Sequence, residues 1–389
     1  MITNFLKVAK SVCITIFLIV YSCQTGQNIS GQLDGKYFID LDMSEQLEIR
    51  TSDIFKYVKT IILETSDECI IGRVSEMQIF DMKIYILDRI GRSLLVFDME
   101  GRFIRRIGRL GRGPGEYASI LDFTIDTANK RIFISDGRRI HKYTVDGLHI
   151  KSVQIEGSIW FSYIQYFDGI IFAANRNPKE DEKLLYTISS DTGEILDGYF
   201  TLADNNMGWN GWAPDMVFFN RLHGTPKYTR IFMNTIWSLD NMSPYITFPD
   251  ENLPTKLQLE EIKRLDIIDQ LPKIQILPKT SSITNYVESE NLIIFLYSKQ
   301  LNNRHLLYKK DDKKFYAANP FINDLVHNKS FPLNVKCRDE SGAYYEVIEM
   351  EQFFLYKEHL IENLDKLEHL LALDIEANPV IFFYEFKYE

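Results

Sequence analysis

Two kinds of apolar segment recur along the chain. Some run without interruption, as in Ile84-Tyr85-Ile86-Leu87 and Ile132-Phe133-Ile134, while others alternate apolar with polar residues. A short uninterrupted run marks a strand buried on both faces, and alternation marks a strand with one wet face. The uninterrupted runs come in pairs. Residues 83–88 precede 94–98 and a turn at Gly101; residues 131–136 precede 140–145 and a turn at Gly147. A more worn copy runs through 169–175 and 185–188 to a turn at Gly193. These three glycines are each 46 positions apart, within the period of roughly 40–50 residues of propeller blades. Stacked blades bury their middle strands on both sides, which is the pattern seen here.

The second half is less regular. Residues 230–240 and 244–248 suit a fourth blade, 291–297 and 305–308 a fifth, and 344–348 with 379–386 a sixth. Two segments carry helical character instead. Residues 252–271 are charged, helix-forming and bracketed by Pro254 and Pro272. Residues 351–373 space Leu355, Leu360, Leu364, Leu367, Leu370 and Leu371 as a helical stripe. Closing a ring requires an N-terminal strand on the last blade, and residues 46–50 or 57–63 can supply it. The expectation is an all-β chain: a six-bladed β-propeller over residues 36–389, with a helical insertion and a helix in the last blade.

The densest local signal is a glycine-rich turn. Gly111, Gly113, Pro114 and Gly115 fold the chain back, Glu116 and Tyr117 close it, and a fresh strand follows. A phosphate-binding loop would need Gly-Lys-Ser/Thr opening a helix, whereas Glu116 here would repel phosphate. Glu116 is therefore expected to accept backbone N–H groups within the turn.

These landmarks resemble the six-bladed β-propeller lipoproteins of Bacteroides and relatives, with NHL-like blades. The matching residues are Ile62-Leu63-Glu64-Thr65, Ile71-Gly72, Ile84 to Asp88, Val96-Phe97-Asp98 with Gly101, and the turn from Gly111 to Tyr117. Asn234-Thr235-Ile236-Trp237 and Asn378-Pro379-Val380 extend the match over nearly the whole chain. The resemblance implies a fold and no particular reaction.

Composition narrows the setting. Hydrophobic residues make up 45% and aromatic residues 13% of 389, enough for a large core. A formal charge of −10 argues against nucleic acid, whose binding needs a basic surface. Lys7 and Lys10 precede the apolar run 12–20, which is short for a membrane span and reads as a secretory signal. Val20-Tyr21-Ser22-Cys23 then resembles a lipobox, although Tyr21 is bulky for its position. Residues 1–22 are thus read as a lipoprotein signal peptide, Cys23 as the lipidated residue, and 23–35 as a flexible polar tether. The tether lacks the acidic run that resembles a surface-export signal, which favours a periplasm-facing anchor. Cys69 and Cys337 remain, either as a disulfide or as two free thiols.

The candidate chemistry is one of binding. Arg102, Arg105, Arg106, Arg109 and Arg112 crowd one blade, and Arg138, Arg139, His141 and Lys142 the equivalent part of the next. Such a rim suits a sugar acid or carboxylated glycan; alternatively, the arginines pair with acids such as Asp98 and Glu100. Trp209, Asn210 and Trp212 lie in a run rich in Asn and Gly. They either offer flat rings and an amide to a sugar or plug an interblade gap. Trp209, Asn210, Trp212, Arg138 and His141 are the candidate ligand-binding residues. No Gly-x-Ser-x-Gly elbow or His-Glu-x-x-His is present, so no catalytic residue, metal ligand or cofactor is assigned. The sequence points to a non-catalytic cell-envelope lipoprotein, a scaffold for an envelope protein or glycan and linked to glycan uptake. The alternative is a calcium-dependent hydrolase or lyase on the propeller axis, as in six-bladed lactonases, with Asp88 and Asp136 as ligands. Both also suit strand-end turns that need no metal.

Overall fold

In a computed structural model, which describes residues 35–387 apart from 180, 203–217, 278, 300–301 and 331–332, the paired apolar runs are middle strands of antiparallel sheets. The described residues form four four-stranded sheets, two five-stranded sheets and a two-stranded ribbon. The first sheet contains Val74–Phe80, Lys83–Asp88, Ser93–Asp98 and Phe103–Arg106, in that spatial order. The second contains Asp122–Asp126, Arg131–Ser135, Arg139–Thr144 and His149–Gln154, and the third runs from Phe161–Phe167 to Ile195–Tyr199. The fourth and fifth begin at Phe218–Phe219 and Thr280–Glu288, and the sixth begins at Val335–Arg338.

Alternate side chains of each middle strand enter different cores, which is how the sheets stack. Ile84 and Ile86 pack with Ile381 and Tyr345 of the sixth sheet. Their neighbours Tyr85 and Leu87 pack with Phe123 and Ile132 of the second. Phe133 in turn packs with Ile164 and Ile171 of the third sheet. The third, fourth and fifth sheets share another layer, and the fifth meets the sixth through Val287, Ile294, Tyr344 and Phe382. This face-to-face succession makes an all-β propeller arrangement. Each fully buried aliphatic residue stabilises it by about 1.5–3 kcal/mol.

The periodic glycines sit where successive sheets touch. Gly101 and Gly193 have φ of 90° and 80°, and a Cβ on either would lie 2.1 or 2.2 Å from the carbonyl oxygen of Ile62 or Gln154. Those carbonyls end the outermost strands of the preceding sheets. In each case the glycine carbonyl also accepts a backbone N–H, from Glu64 at 2.8 Å and Glu156 at 3.1 Å. A side chain there would force the sheets apart and strain the backbone.

The N-terminal part crosses three outer edges. Tyr37–Phe38 adds in parallel to Ser243–Thr247, and Glu45–Arg50 adds in parallel to Lys314–Ile322. Phe55–Ile62 then pairs antiparallel with Val380–Phe386. Of the two candidate closing strands, the later one therefore completes the sixth sheet, and the earlier one covers the fifth.

Both helical expectations need correction. Residues 250–276 form a 3-10 turn, a helix at Lys256–Lys263 and a second at Ile267–Ile276, so Pro272 lies within a helix. Burial of Ile274 in the core at 3% exposure holds that helix despite the hydrogen bond Pro272 cannot donate. The leucine stripe is not one helix. It breaks into Met350–Tyr356, a 3-10 turn at Lys357–His359, and Leu367–Ala372. Between them the Asp365 carboxylate accepts from Thr60 N at 2.8 Å and from the Tyr57 hydroxyl. That contact covers the outer edge of the closing strand, which would otherwise offer unpaired backbone groups.

Candidate functional site

The first strands of adjacent sheets lie beside one another, bringing the sixth against the first, the second against the third, and the fifth against the sixth. Their polar residues gather at the centre. Val74–Phe80 alternates Glu76 and Gln78 with Met77 and Ile79, as a strand with one polar face does. Arg221, from the turn after Phe218–Phe219, reaches into this centre. It donates to both oxygens of Asp122 at 3.1 and 2.9 Å, to Gln165 Oε1 at 3.2 Å, and to the Phe123 carbonyl at 2.8 Å. Its Nη1 is 3.3 Å from Glu76 Oε2. Asp122 is fully buried and also accepts from Ile164 N at 2.8 Å. Burial pushes the Glu76 carboxyl up, with Arg221 opposing. One guanidinium thus ties the first, second and third sheets to the fourth, and it occupies both carboxylates.

Beside Arg221 is a cavity of about 50 Å³ lined by residues of the first, fourth, fifth and sixth sheets. Gln78 is 1% exposed; its Nε2 donates to the Phe123 carbonyl, but its buried Oε1 has no partner. His223 Nε2, on the same wall, is likewise buried without one. Lys336 also lines the space, and burial pulls its ammonium pKa down. Glu76, Glu349, Arg73 and Arg89 are the charges acting on it. Arg89 lies against the Tyr163 ring, 4.8 Å from its centroid, and donates to the Leu121 carbonyl at 2.5 Å. Among the described residues, Lys336, Arg73 and Arg89 have no carboxylate within ion-pair distance. The sequence reading missed Arg221, Glu76, Gln78 and Lys336. Alternation in Val74–Phe80 was the available signal for Glu76 and Gln78; Arg221 and Lys336 carried none.

The expected site residues fall elsewhere. In the glycine-rich turn, Glu116 Oε2 accepts from Gly113 N at 2.8 Å and Oε1 from Arg109 at 2.7 Å. These donors hold the Glu116 carboxyl below its usual range, Gly113 first and Arg109 next. Gly111 N donates to the Tyr117 carbonyl at 3.1 Å, and the buried Tyr117 hydroxyl donates to Ile107 O at 3.3 Å. Gly115 has φ of 73°, beside Pro114. His141 is 1% exposed, with Nε2 3.1 Å from Asp136 and Nδ1 2.8 Å from Ser152. Both nitrogens are engaged inside the fold, which leaves neither for a ligand. Arg138 is exposed, its guanidinium 6.0 Å from the Trp160 ring, which rests on Gly137 and is 45% exposed. Trp209, Asn210, Trp212 and Cys23 lie outside the described residues.

The arginine rim does not assemble as one patch. Arg102 pairs with Asp98 at 2.6 Å, Arg105 bonds the Asp146 carbonyl, and Arg109 is held by Glu116. Lys142 pairs with Asp191 at 2.6 Å. Asp88 accepts from the backbone N–H groups of Gly72, Ile90 and Gly91, and Asp136 from those of Arg138 and Arg139. Both therefore act as turn-forming residues, and no cluster of three or more metal-ligating acidic, His or Cys side chains occurs among the described residues. Cys69 and Cys337 are free thiols.

Comparison with known proteins places the chain in a family. Residues 36–385 match the domain of unknown function DUF4934, and the chain belongs to that family. A putative exported protein from Bacteroides fragilis has a similar structure, with 18% identity, a TM-score of 0.71, and coverage of 90% of this chain and 99% of that one. A member of the DUF4221 family from Bacteroides vulgatus is 10% identical, covering 86% and 98%, with a TM-score of 0.48. Virginiamycin B lyase from Staphylococcus aureus is 11% identical, covering 85% and 99%, with a TM-score of 0.44. No curated protein matches. No helix among the described residues is long and apolar enough to cross a membrane.

Proposed function

We propose that this protein is a non-catalytic lipoprotein of the bacterial cell envelope, whose six sheets are six blades of one ring serving as a ligand- or protein-binding scaffold linked to glycan uptake. Residues 1–22 are its signal peptide, Cys23 carries the lipid on the periplasmic side, and 23–35 form the tether. The observation that carries this reading is the state of the axis. Glu76, which lines the axial cavity, and the buried Asp122 are both held by Arg221, so neither is a free general base. Arg89, with no carboxylate in ion-pair distance among the described residues, and the exposed Trp160 ring are groups suited to binding. The likeness to an exported Bacteroides protein agrees with an envelope address.

Elemental analysis of the purified protein, with metabolic labelling by a clickable palmitate, tests it. The expected result is labelling that disappears in Cys23→Ala and protein without bound calcium. Stoichiometric calcium that survives dialysis would transfer the case to the axial hydrolase or lyase. Unchanged labelling of Cys23→Ala would remove the anchor.

A further inference from the structure

We propose that the axial cavity is a binding site for a small hydroxyl-bearing carboxylate, either a free sugar acid or the acidic end of a glycan, gripped by Lys336 and Gln78. This deepens the binding-scaffold reading and rests on it. The chain is acidic overall, with a formal charge of −10, yet Lys336 lines the cavity with no carboxylate in ion-pair distance among the described residues. Glu76 and Glu349 act on it from farther off, and Arg73 and Arg89 oppose them. A half-buried ammonium that has lost hydration and makes no direct ion pair is stabilised by an arriving anion. Glu76 is already held by Arg221. Glu349 accepts from Val74 N at 2.9 Å, and a direct ion pair to Lys336 is left for a ligand.

The second requirement comes from the cavity wall. Gln78 Oε1 accepts from nothing in the fold although the side chain is 1% exposed. An unmet buried acceptor costs about 1–3 kcal/mol, a cost that a hydroxyl donor removes. His223 Nε2 adds a second unmet polar atom to the same space. At about 50 Å³ the cavity admits a few water-sized groups. It therefore takes the carboxylate and its neighbouring hydroxyl and leaves the rest of the molecule at the opening. A phosphate satisfies the cations but brings no carbon-borne hydroxyl, and a neutral sugar brings hydroxyls without charge.

Isothermal titration of the whole soluble protein tests this with four probes: glucuronate, an oligosaccharide ending in a uronate, glucose and inorganic phosphate. Binding of glucuronate is expected, with glucose and phosphate weaker by about tenfold or more. Binding of the oligosaccharide alone would place the acid at a glycan end, and binding of free glucuronate alone would make it a free acid. Lys336→Met and Gln78→Met should each weaken the acid by about tenfold, about 1.4 kcal/mol, while Lys336→Arg retains it. If Lys336→Met fails to fold, Gln78→Met and Lys336→Arg carry the test. No heat with either acidic probe, glucose binding as tightly as glucuronate, or full affinity in Gln78→Met would overturn the site. Turnover of a probe, followed by NMR, would instead overturn the non-catalytic reading.

Discussion

At the scale of single residues, the clearest consequence concerns Glu346. It is 2% exposed and takes hydrogen bonds from the Tyr384 hydroxyl at 2.8 Å, Asn323 Nδ2 at 3.2 Å and Asn334 N at 3.1 Å. Burial nevertheless dominates and pushes its pKa up to about 7. A folded pKa above the unfolded value means that the native state holds the proton more tightly. The stability it confers is fully present below about pH 4.5 and is lost as pH rises towards 7, on the order of 3 kcal/mol in all. Glu346→Gln should flatten that slope, because the amide binds no proton in this range. Urea unfolding at pH 5 and pH 8 measures this, and an equal slope in parent and variant would refute it. Residues with a local job were legible in the sequence, as Glu116 and the periodic glycines were. Arg221 was not, because its partners Glu76 and Asp122 are 145 and 99 positions away and no local spacing brings them together.

At the scale of elements, the middle strands were readable because burial on both faces leaves a continuous apolar run, and the hairpin glycines marked their ends. Edge segments were harder. Glu45–Arg50 is exposed at five of six positions, so its sequence carries no core signature, and only pairing to a neighbour makes it a strand. The leucine stripe of 351–373 misled for a related reason. Its helical period is genuine, with Leu364 and Leu370 buried, but Asp365 is drawn away to the closing strand and Lys366 adopts φ of 56°. That closing strand yields the next prediction. Phe55 and Ile61 are fully buried, and removal of Phe55–Ile62 would bare a seven-residue edge at Val380–Phe386. A chain beginning at residue 64 should self-associate or fail to fold cooperatively, and a peptide of residues 36–63 should restore a monomer. A monomeric, cooperatively melting shortened chain, seen by light scattering and calorimetry, would contradict this.

At the scale of the whole molecule, the same residue that hid from the sequence holds the centre together. Arg221 crosses from the fourth sheet to partners in the first, second and third, with Asp122 entirely buried and the arginine side chain 9% exposed. Such an ion pair adds little to stability over an apolar replacement of all its members, yet removing one member leaves charge stranded in a poor solvent. Arg221→Met should therefore cost about 3–5 kcal/mol at pH 7. The loss should shrink towards acidic pH, because stranded carboxylates have raised pKa values and fold more readily once protonated. A triple variant, Arg221→Met with Glu76→Gln and Asp122→Asn, should recover much of the loss by removing the stranded charge, less the amide donors that stay unmet. Unfolding by urea at pH 5 and pH 7 separates the terms. An Arg221→Met protein within about 0.5 kcal/mol of the parent at pH 7 would mean that the sheets hold the axis without it, and that stacking of their apolar faces alone fixes the ring.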